Sequence, residues 1–258
     1  MSTVIYPSPI FGPVHSRRLG VSLGINLLPN DGKWCSFDCV YCECGLNAEH
    51  RATSPLPSRS EVSEALERKL AEMKQSGELP DVLTFAGNGE PTMHPDFEHI
   101  VHDTLLLRDE YCPEARVSVL TNSTQILRDS VFRALMLVDN NIVKLDTVDA
   151  AYIRNVDRPS GHYDVDRLVQ RMSEFDGHCI VQTMFMGGTL DGASVDNTGA
   201  SYVDPWLQAL LRIKPSQVMI YTIDRETPIA TLCKASHETL DSIADRVRAM
   251  GLQCSVSY

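Results

Sequence analysis

Apolar positions along this chain switch repeatedly between a period of two and a period near 3.6. Ser22 to Leu28 reads S-L-G-I-N-L-L, so Val21 to Leu28 is expected to be a first strand. Ser60 to Gln75 carries a helical pattern, with Ser60 as N-cap and Gly77 as the stop. Asp81 to Ala86 holds a compact apolar run, V-L-T-F-A, read as a strand entering the turn Gly87-Asn88-Gly89-Glu90-Pro91. The alternation continues with a helix over Asp96–Leu107, a strand over Arg116–Leu120 ending at Thr121-Asn122, and a helix over Asp129–Leu137. A strand at Ile142–Leu145, a helix at Asp164–Phe175 and a strand at His178–Phe185 follow. Tyr202–Ile213 and His237–Met250 are expected to be helices, Gln217–Ile223 a strand and Gln253–Val256 a last short strand. Residues 1–20 are expected to form an irregular, Pro-rich extension. The polar stretch Gly187 to Ala200 is expected to be a lid or a disordered connector.

About six strand–helix units imply an α/β fold, a parallel sheet with right-handed crossovers and helices outside. No linker divides the chain, so residues 1–258 are expected to form a single domain. Six units are too few for a closed barrel of eight, which leaves an open barrel or a doubly wound sheet. Both place chemistry at the carboxyl ends of the strands. The turn at Gly87 follows the second strand, and a cysteine-rich loop follows the first.

Composition narrows the class. The balance of 43% hydrophobic and 22% charged residues describes a soluble globular protein. No apolar run reaches a bilayer span, and the first twenty residues lack a signal-peptide core. A reducing, cytoplasmic location is therefore expected. A formal net charge of −11 argues against a broad nucleic-acid footprint. Arg17, Arg18, Lys33, Arg51 and Arg59 give the early chain a local basic bias, as suited to a solvated surface as to a binding patch.

The cysteine loop carries the chemistry. Cys35, Cys39 and Cys42 lie in C-S-F-D-C-V-Y-C, a C-x3-C-x2-C spacing that fits three corners of an iron–sulfur cube. Complete protein ligation of a [4Fe–4S] cluster takes four Cys, so three leave one iron open to a small molecule. The rival is zinc, which needs four ligands. Cys42 and Cys44 make a poor second pair, although Cys44 could complete a different ligand set. Cys44, Cys112, Cys179, Cys233 and Cys254 otherwise read as small buried residues.

This loop resembles the CxxxCxΦC loop of radical S-adenosylmethionine enzymes, with Tyr41 as the aromatic before the third Cys. Gly87-Asn88-Gly89-Glu90-Pro91 resembles their "GGE" segment. Phe11 to Asn26, Gly87 to Thr92 and Tyr221 to Pro228 are similar to a group of small Fe–S oxidoreductases related to the radical-SAM half of 4-demethylwyosine synthases. The resemblance covers most of the chain and implies an open, partial (β/α)6 barrel. It also implies a [4Fe–4S] cluster on Cys35, Cys39 and Cys42, with S-adenosylmethionine chelating the open iron. Reductive cleavage would give methionine and a 5′-deoxyadenosyl radical that abstracts hydrogen from a substrate.

By the same resemblance Tyr41 would cover the adenine side of the cofactor, and Gly87, Asn88, Gly89 and Glu90 would bind its ammonium. Phe37 would shield the cluster. Strand periodicity adds Asn122, Asp146 and Gln182 as candidates for ribose or carboxylate contacts, and Lys144 as a partner for a carboxylate. Tyr221 and Arg225 would face the substrate, and Arg17-Arg18 could bind a phosphate or carboxylate. The eight histidines show no metal-ligand spacing. Without a flavin or nicotinamide fingerprint, a flavodoxin or ferredoxin is the expected electron donor. The substrate is expected to be a small molecule, peptide or protein, including a glycyl-radical enzyme. A tRNA ranks lower, because the net charge is acidic and a second Cys triad is missing. The non-enzymatic alternative is an electron-transfer or zinc protein.

Overall fold

The computed structural model describes residues 3–16 and 20–258. In chain order the first half contains β1 (Ile10–Ser16), β2 (Gly20–Ile25), α1 (Arg59–Ser76), β3 (Val82–Phe85), α2 (Phe97–Tyr111), β4 (Arg116–Thr121), α3 (Asp129–Leu137) and β5 (Asn140–Lys144). Then come α4 (Ala150–Tyr152), running into a wide π-turn at Ile153–Asp157, α5 (Val165–Ser173), β6 (Ile180–Met184), β7 (Met186–Leu190) and β8 (Ala193–Ser194). The chain closes with α6 (Ala200–Ile213), β9 (Gln217–Tyr221), β10 (Leu232–Lys234), α7 (His237–Ala249) and β11 (Cys254–Ser257).

One sheet runs β1-β2-β3-β4-β5-β6-β9-β11, parallel throughout except for the antiparallel β1–β2 pair. This is the expected α/β architecture of six strand–helix units with a last strand at the edge. Among the described residues β1 and β11, the two ends of this order, do not pair. Strand alternation divides the two faces. Val143, Val181, Val218 and Ile220 face the helices and join Leu66, Ile100, Leu135 and Leu210 in the main core. Ile142, Ile180 and Met219 lie on the opposite face and form a small separate cluster with Leu120. Lys144 and Gln182, two residues further along their strands, continue that inner face towards the carboxyl ends. Trp206 ties the outer layer to this edge by donating its indole N–H to Leu145 O and Thr183 Oγ1, each at 3.1 Å.

Three local expectations are corrected. Helix α1 is capped by Ser58 rather than Ser60, because Ser58 and Glu61 form a reciprocal capping box. Residues 1–20 are not wholly irregular. Ile10–Ser16 forms an antiparallel edge strand with a register shift between Phe11 and Val14, where Gly12-Pro13 sits. Proline is tolerated in a sheet only at edges and bulges, so the feature that hid the strand also fixes its position. The stretch 187–200 is not an open loop. β7 and β8 form a hairpin about Asp191-Gly192, whose φ values of 50° and 80° suit a primed turn, and β10 pairs with β7 to complete a second, antiparallel sheet.

Candidate active site

The segment entering the cysteine loop is fixed on both sides. Lys33 N–H donates to His50 O, and Ala52 N–H donates to Lys33 O. Trp34 N–H donates to Asn88 O at 2.8 Å, and Glu90 N–H returns a bond to Trp34 O at 3.2 Å. The second motif therefore lies directly against the first. Gly87 and Gly89 have φ of 137° and 141°. A Cβ on Gly89 would lie 1.9 Å from Trp34 O, so this approach requires glycine. Further along, Asp38 N–H donates to Asp157 O and Val40 N–H to Val156 O, which pins the loop to the π-turn.

The three thiols have different surroundings. Cys35 Sγ accepts from Phe37 N–H and Asn122 Nδ2, each at 3.5 Å, and burial pushes its pKa up to about 12. Cys39 Sγ lies 3.7 Å from Asp157 Oδ1, and burial raises its pKa as well. Cys42 is pulled down to about 6 by a hydrogen bond from Cys44, helped by the ammonium of Lys33. Cys44 is buried, sits 3.6 Å from Gly87 O, and is raised by the hydrogen bond it gives Cys42. The donor set is three thiols of one loop, with two N–H groups directed at the Cys35 sulfur, which fits a cluster held by thiolates. Among the described residues no three His, Cys, Asp or Glu side chains converge on a point that would hold a single ion.

Glu90 is fully buried. Its Oε1 accepts from Thr92 N, Thr92 Oγ1 and Thr121 Oγ1, and its Oε2 accepts from Asn122 N at 2.5 Å. Burial raises its pKa against these bonds. Asn122 is drawn into the loop: its amide donates to Ser36 Oγ at 3.0 Å and its carbonyl accepts from Thr124 N–H. Asn88 turns its side chain away, donating to Tyr6 O and Pro29 O and accepting from Tyr6 N–H. Its backbone, not its amide, faces the cysteine loop.

Tyr41, Lys144, Asp146 and Asp157 form one buried network. Lys144 Nζ donates to Tyr41 Oη and Asp146 Oδ2, and lies 2.9 Å from Asp157 Oδ1. Tyr41 Oη donates to Asp146. Asp146 also accepts from Met184 N–H at 3.0 Å, tying the network to β6. Burial alone would lower the pKa of Lys144, but Asp146 and Asp157 carry it well above its ordinary value. Burial pushes Asp157 up to about 6. Phe37 is buried against Tyr163, ring centroids 5.2 Å apart, and its ring centroid lies 5.9 Å from Lys144 Nζ.

Tyr41, Cys42, Gly87 and Gln182 line one end of a cavity of about 570 Å³ that runs through the inner face of the sheet. Tyr221 and Arg225 line it too, and Arg225 pairs with Glu43 at 2.8 Å and accepts no isolated role, because Tyr6 Oη lies 3.3 Å away. The structure thus gathers Cys35, Cys39, Cys42, Tyr41, Gly87–Glu90, Asn122, Asp146 and Gln182 at one sheet edge. Arg17 and Arg18 lie outside the described residues. Sequence reasoning missed Asp157, whose π-turn has no apolar period, and gave Lys33 no role of its own. Among the described residues no helix is long and apolar enough to cross a membrane.

Comparison with known proteins follows the same line. The Radical SAM superfamily model matches residues 30–196. The chain is 35% identical over 182 residues to the UPF0026 protein MJ1312 of Methanocaldococcus jannaschii, covering 69% of this chain and 54% of that protein. It is 28% identical over 222 residues to a protein named GTPase Obg of Brachyspira hyodysenteriae, covering 84% of this chain and 30% of that one. The chain thus spans about half or less of these curated relatives. Its fold is similar to a radical SAM methyltransferase from Sphaerobacter thermophilus, with a TM-score of 0.68 at 15% identity, covering 92% of this chain and 66% of that one. It is also similar to TYW1 with a lysine-pyruvate adduct bound, with a TM-score of 0.62 at 12% identity, covering 88% and 73%.

Proposed function

Because the chain belongs to the radical SAM superfamily, we propose that Cys35, Cys39 and Cys42 hold a [4Fe–4S] cluster whose open iron takes S-adenosylmethionine. One observation carries the reading: the three-thiol loop is hydrogen-bonded through Trp34 to the Gly87–Glu90 turn, side by side at the carboxyl ends of β2 and β3. When bound, this pair supplies one-electron cleavage of the sulfonium to methionine and a 5′-deoxyadenosyl radical, which takes a hydrogen atom from substrate.

The protein's part is position, charge and exclusion of water. Asn122 and Phe37 N–H hold the Cys35 sulfur. The backbone carbonyls of the Gly87–Glu90 turn and the second lone pair of Glu90 Oε2 would receive the methionine ammonium as charge-assisted acceptors. Lys144 is the cation available to a cofactor carboxylate if its bonds to Asp146 and Asp157 are shared. Tyr41 and Gln182 both line the cavity, while the Tyr41 hydroxyl stays in the network. A cavity of about 570 Å³ lies within the range of small-molecule sites, roughly 300–1,000 Å³. It favours a small molecule, or a segment of peptide or protein, over tRNA. A flavodoxin or ferredoxin of the cytoplasm supplies the electron.

The test is anaerobic reconstitution with iron and sulfide, followed by electron paramagnetic resonance of the dithionite-reduced protein. The expected result is about four irons per chain and a spectrum that changes on adding S-adenosylmethionine. A reducible cluster whose spectrum ignores S-adenosylmethionine would favour the electron-transfer alternative.

A further inference from the structure

Lys33 is a buried cation inside the cysteine loop. Only 2% of it is exposed, two residues ahead of Cys35. Its Nζ donates to Gly45 O at 2.8 Å and to Asp38 Oδ1 at 3.4 Å. Asp38 stands between Cys35 and Cys39, and Gly45 three residues beyond Cys42, so the chain that carries the thiols wraps around the ammonium. The ammonium also interacts electrostatically with the sulfurs of Cys42, Cys35 and Cys39. Asp38 offsets the charge only in part, since the same oxygen accepts Asn47 N–H at the shorter distance of 2.7 Å.

We propose that Lys33 is a positioning residue that sets the reduction potential of the cluster, through a positive charge enclosed by the thiol-bearing loop and shielded from water. The inference rests on the cluster reading given above. Reduction adds one electron, taking the cluster from the +2 to the +1 state; no bond is made or broken and no proton moves. The electron comes from the low-potential flavodoxin or ferredoxin, or from dithionite in the assay. Added negative charge is stabilised by a nearby buried cation more in the reduced state than in the oxidised one. Net charge, hydrogen bonds to sulfur and solvent exposure are the terms that set such potentials. A purely structural Lys33, stapling Gly45 to the loop, would leave the potential where it is.

The test compares wild type with Lys33→Met, which keeps the apolar stem, and Lys33→Arg, which keeps the charge. Each is reconstituted anaerobically, assayed for iron and sulfide, and titrated potentiometrically with detection by electron paramagnetic resonance, without S-adenosylmethionine. At a fixed potential the reduced-to-oxidised ratio in Lys33→Met should fall at least about tenfold, equivalent to about 59 mV for a one-electron couple. Lys33→Arg should recover most of that loss. A ratio within twofold of wild type in Lys33→Met would overturn the proposal. If Lys33→Met holds no cluster, Lys33→Gln and Lys33→Arg decide. Retention only in the Arg variant supports a role for the charge, and loss in all three contradicts it. Failure of wild type itself to take up iron would instead sink the cluster reading, and this inference with it.

Discussion

Replacing Lys144 with Met should cost this protein about 3–5 kcal/mol of stability, the range for leaving a buried charge without its partner. Among the described residues Lys144 is the one cation paired with both Asp146 and Asp157, whose side chains are 1% and 3% exposed. At the 2.9 Å separation of Lys144 and Asp157, an effective dielectric of about 20 gives 332/(20 × 2.9), about 6 kcal/mol, before the ions' desolvation is subtracted. Methionine keeps the stem's packing and removes only the charge. Two carboxylates then face each other and Cys39 with no cation between them. Urea unfolding of cluster-free protein under reducing conditions, followed by circular dichroism, reads the difference through a lower midpoint at unchanged slope. Adding Asp157→Asn to Lys144→Met should restore at least about 1 kcal/mol, because one orphaned charge is gone. A single variant within about 1 kcal/mol of wild type, or a double variant no better than the single, would refute the idea that the network is held by this cation.

Other expectations can be checked with the same material. Glu90→Gln sets an amide N–H against Asn122 N–H and should destabilise by about 1.5–3 kcal/mol in urea unfolding, while weakening S-adenosylmethionine binding measured by calorimetry on reconstituted protein. Gly89→Ala drives a methyl into Trp34 O and should cost at least about 2 kcal/mol, with reduced iron uptake; an unchanged unfolding midpoint would mean the two motifs are not locked together. Cys44→Ala should keep full iron content and full S-adenosylmethionine response, and loss of a quarter or more of the iron would make Cys44 a ligand.

How much was visible in the sequence depended on whether a feature was periodic. β3 was expected over Asp81–Ala86 and spans Val82–Phe85, and the inner position of Lys144 and Gln182 follows from alternation alone. Asp191-Gly192 did carry a hairpin signal, but the surrounding glycines and serines masked the short strands it joins. β1 was hidden by Gly12-Pro13, which removes a ladder donor where the strand bulges. Asp157 and Lys33 were illegible for a different reason. Each is an ordinary charged residue in an aperiodic stretch, and its partners come from segments that meet only when the cysteine loop folds against the π-turn and around the ammonium. Asn88 illustrates the converse: the motif was readable, yet the direction of its side chain depends on Tyr6 and Pro29.

The most direct test is to reduce the anaerobically reconstituted protein with dithionite, add S-adenosylmethionine and quantify 5′-deoxyadenosine, with Cys39→Ala alongside. The account predicts 5′-deoxyadenosine from wild type and none above background from the variant. A wild-type protein with full iron and a reducible cluster that forms no 5′-deoxyadenosine would contradict it.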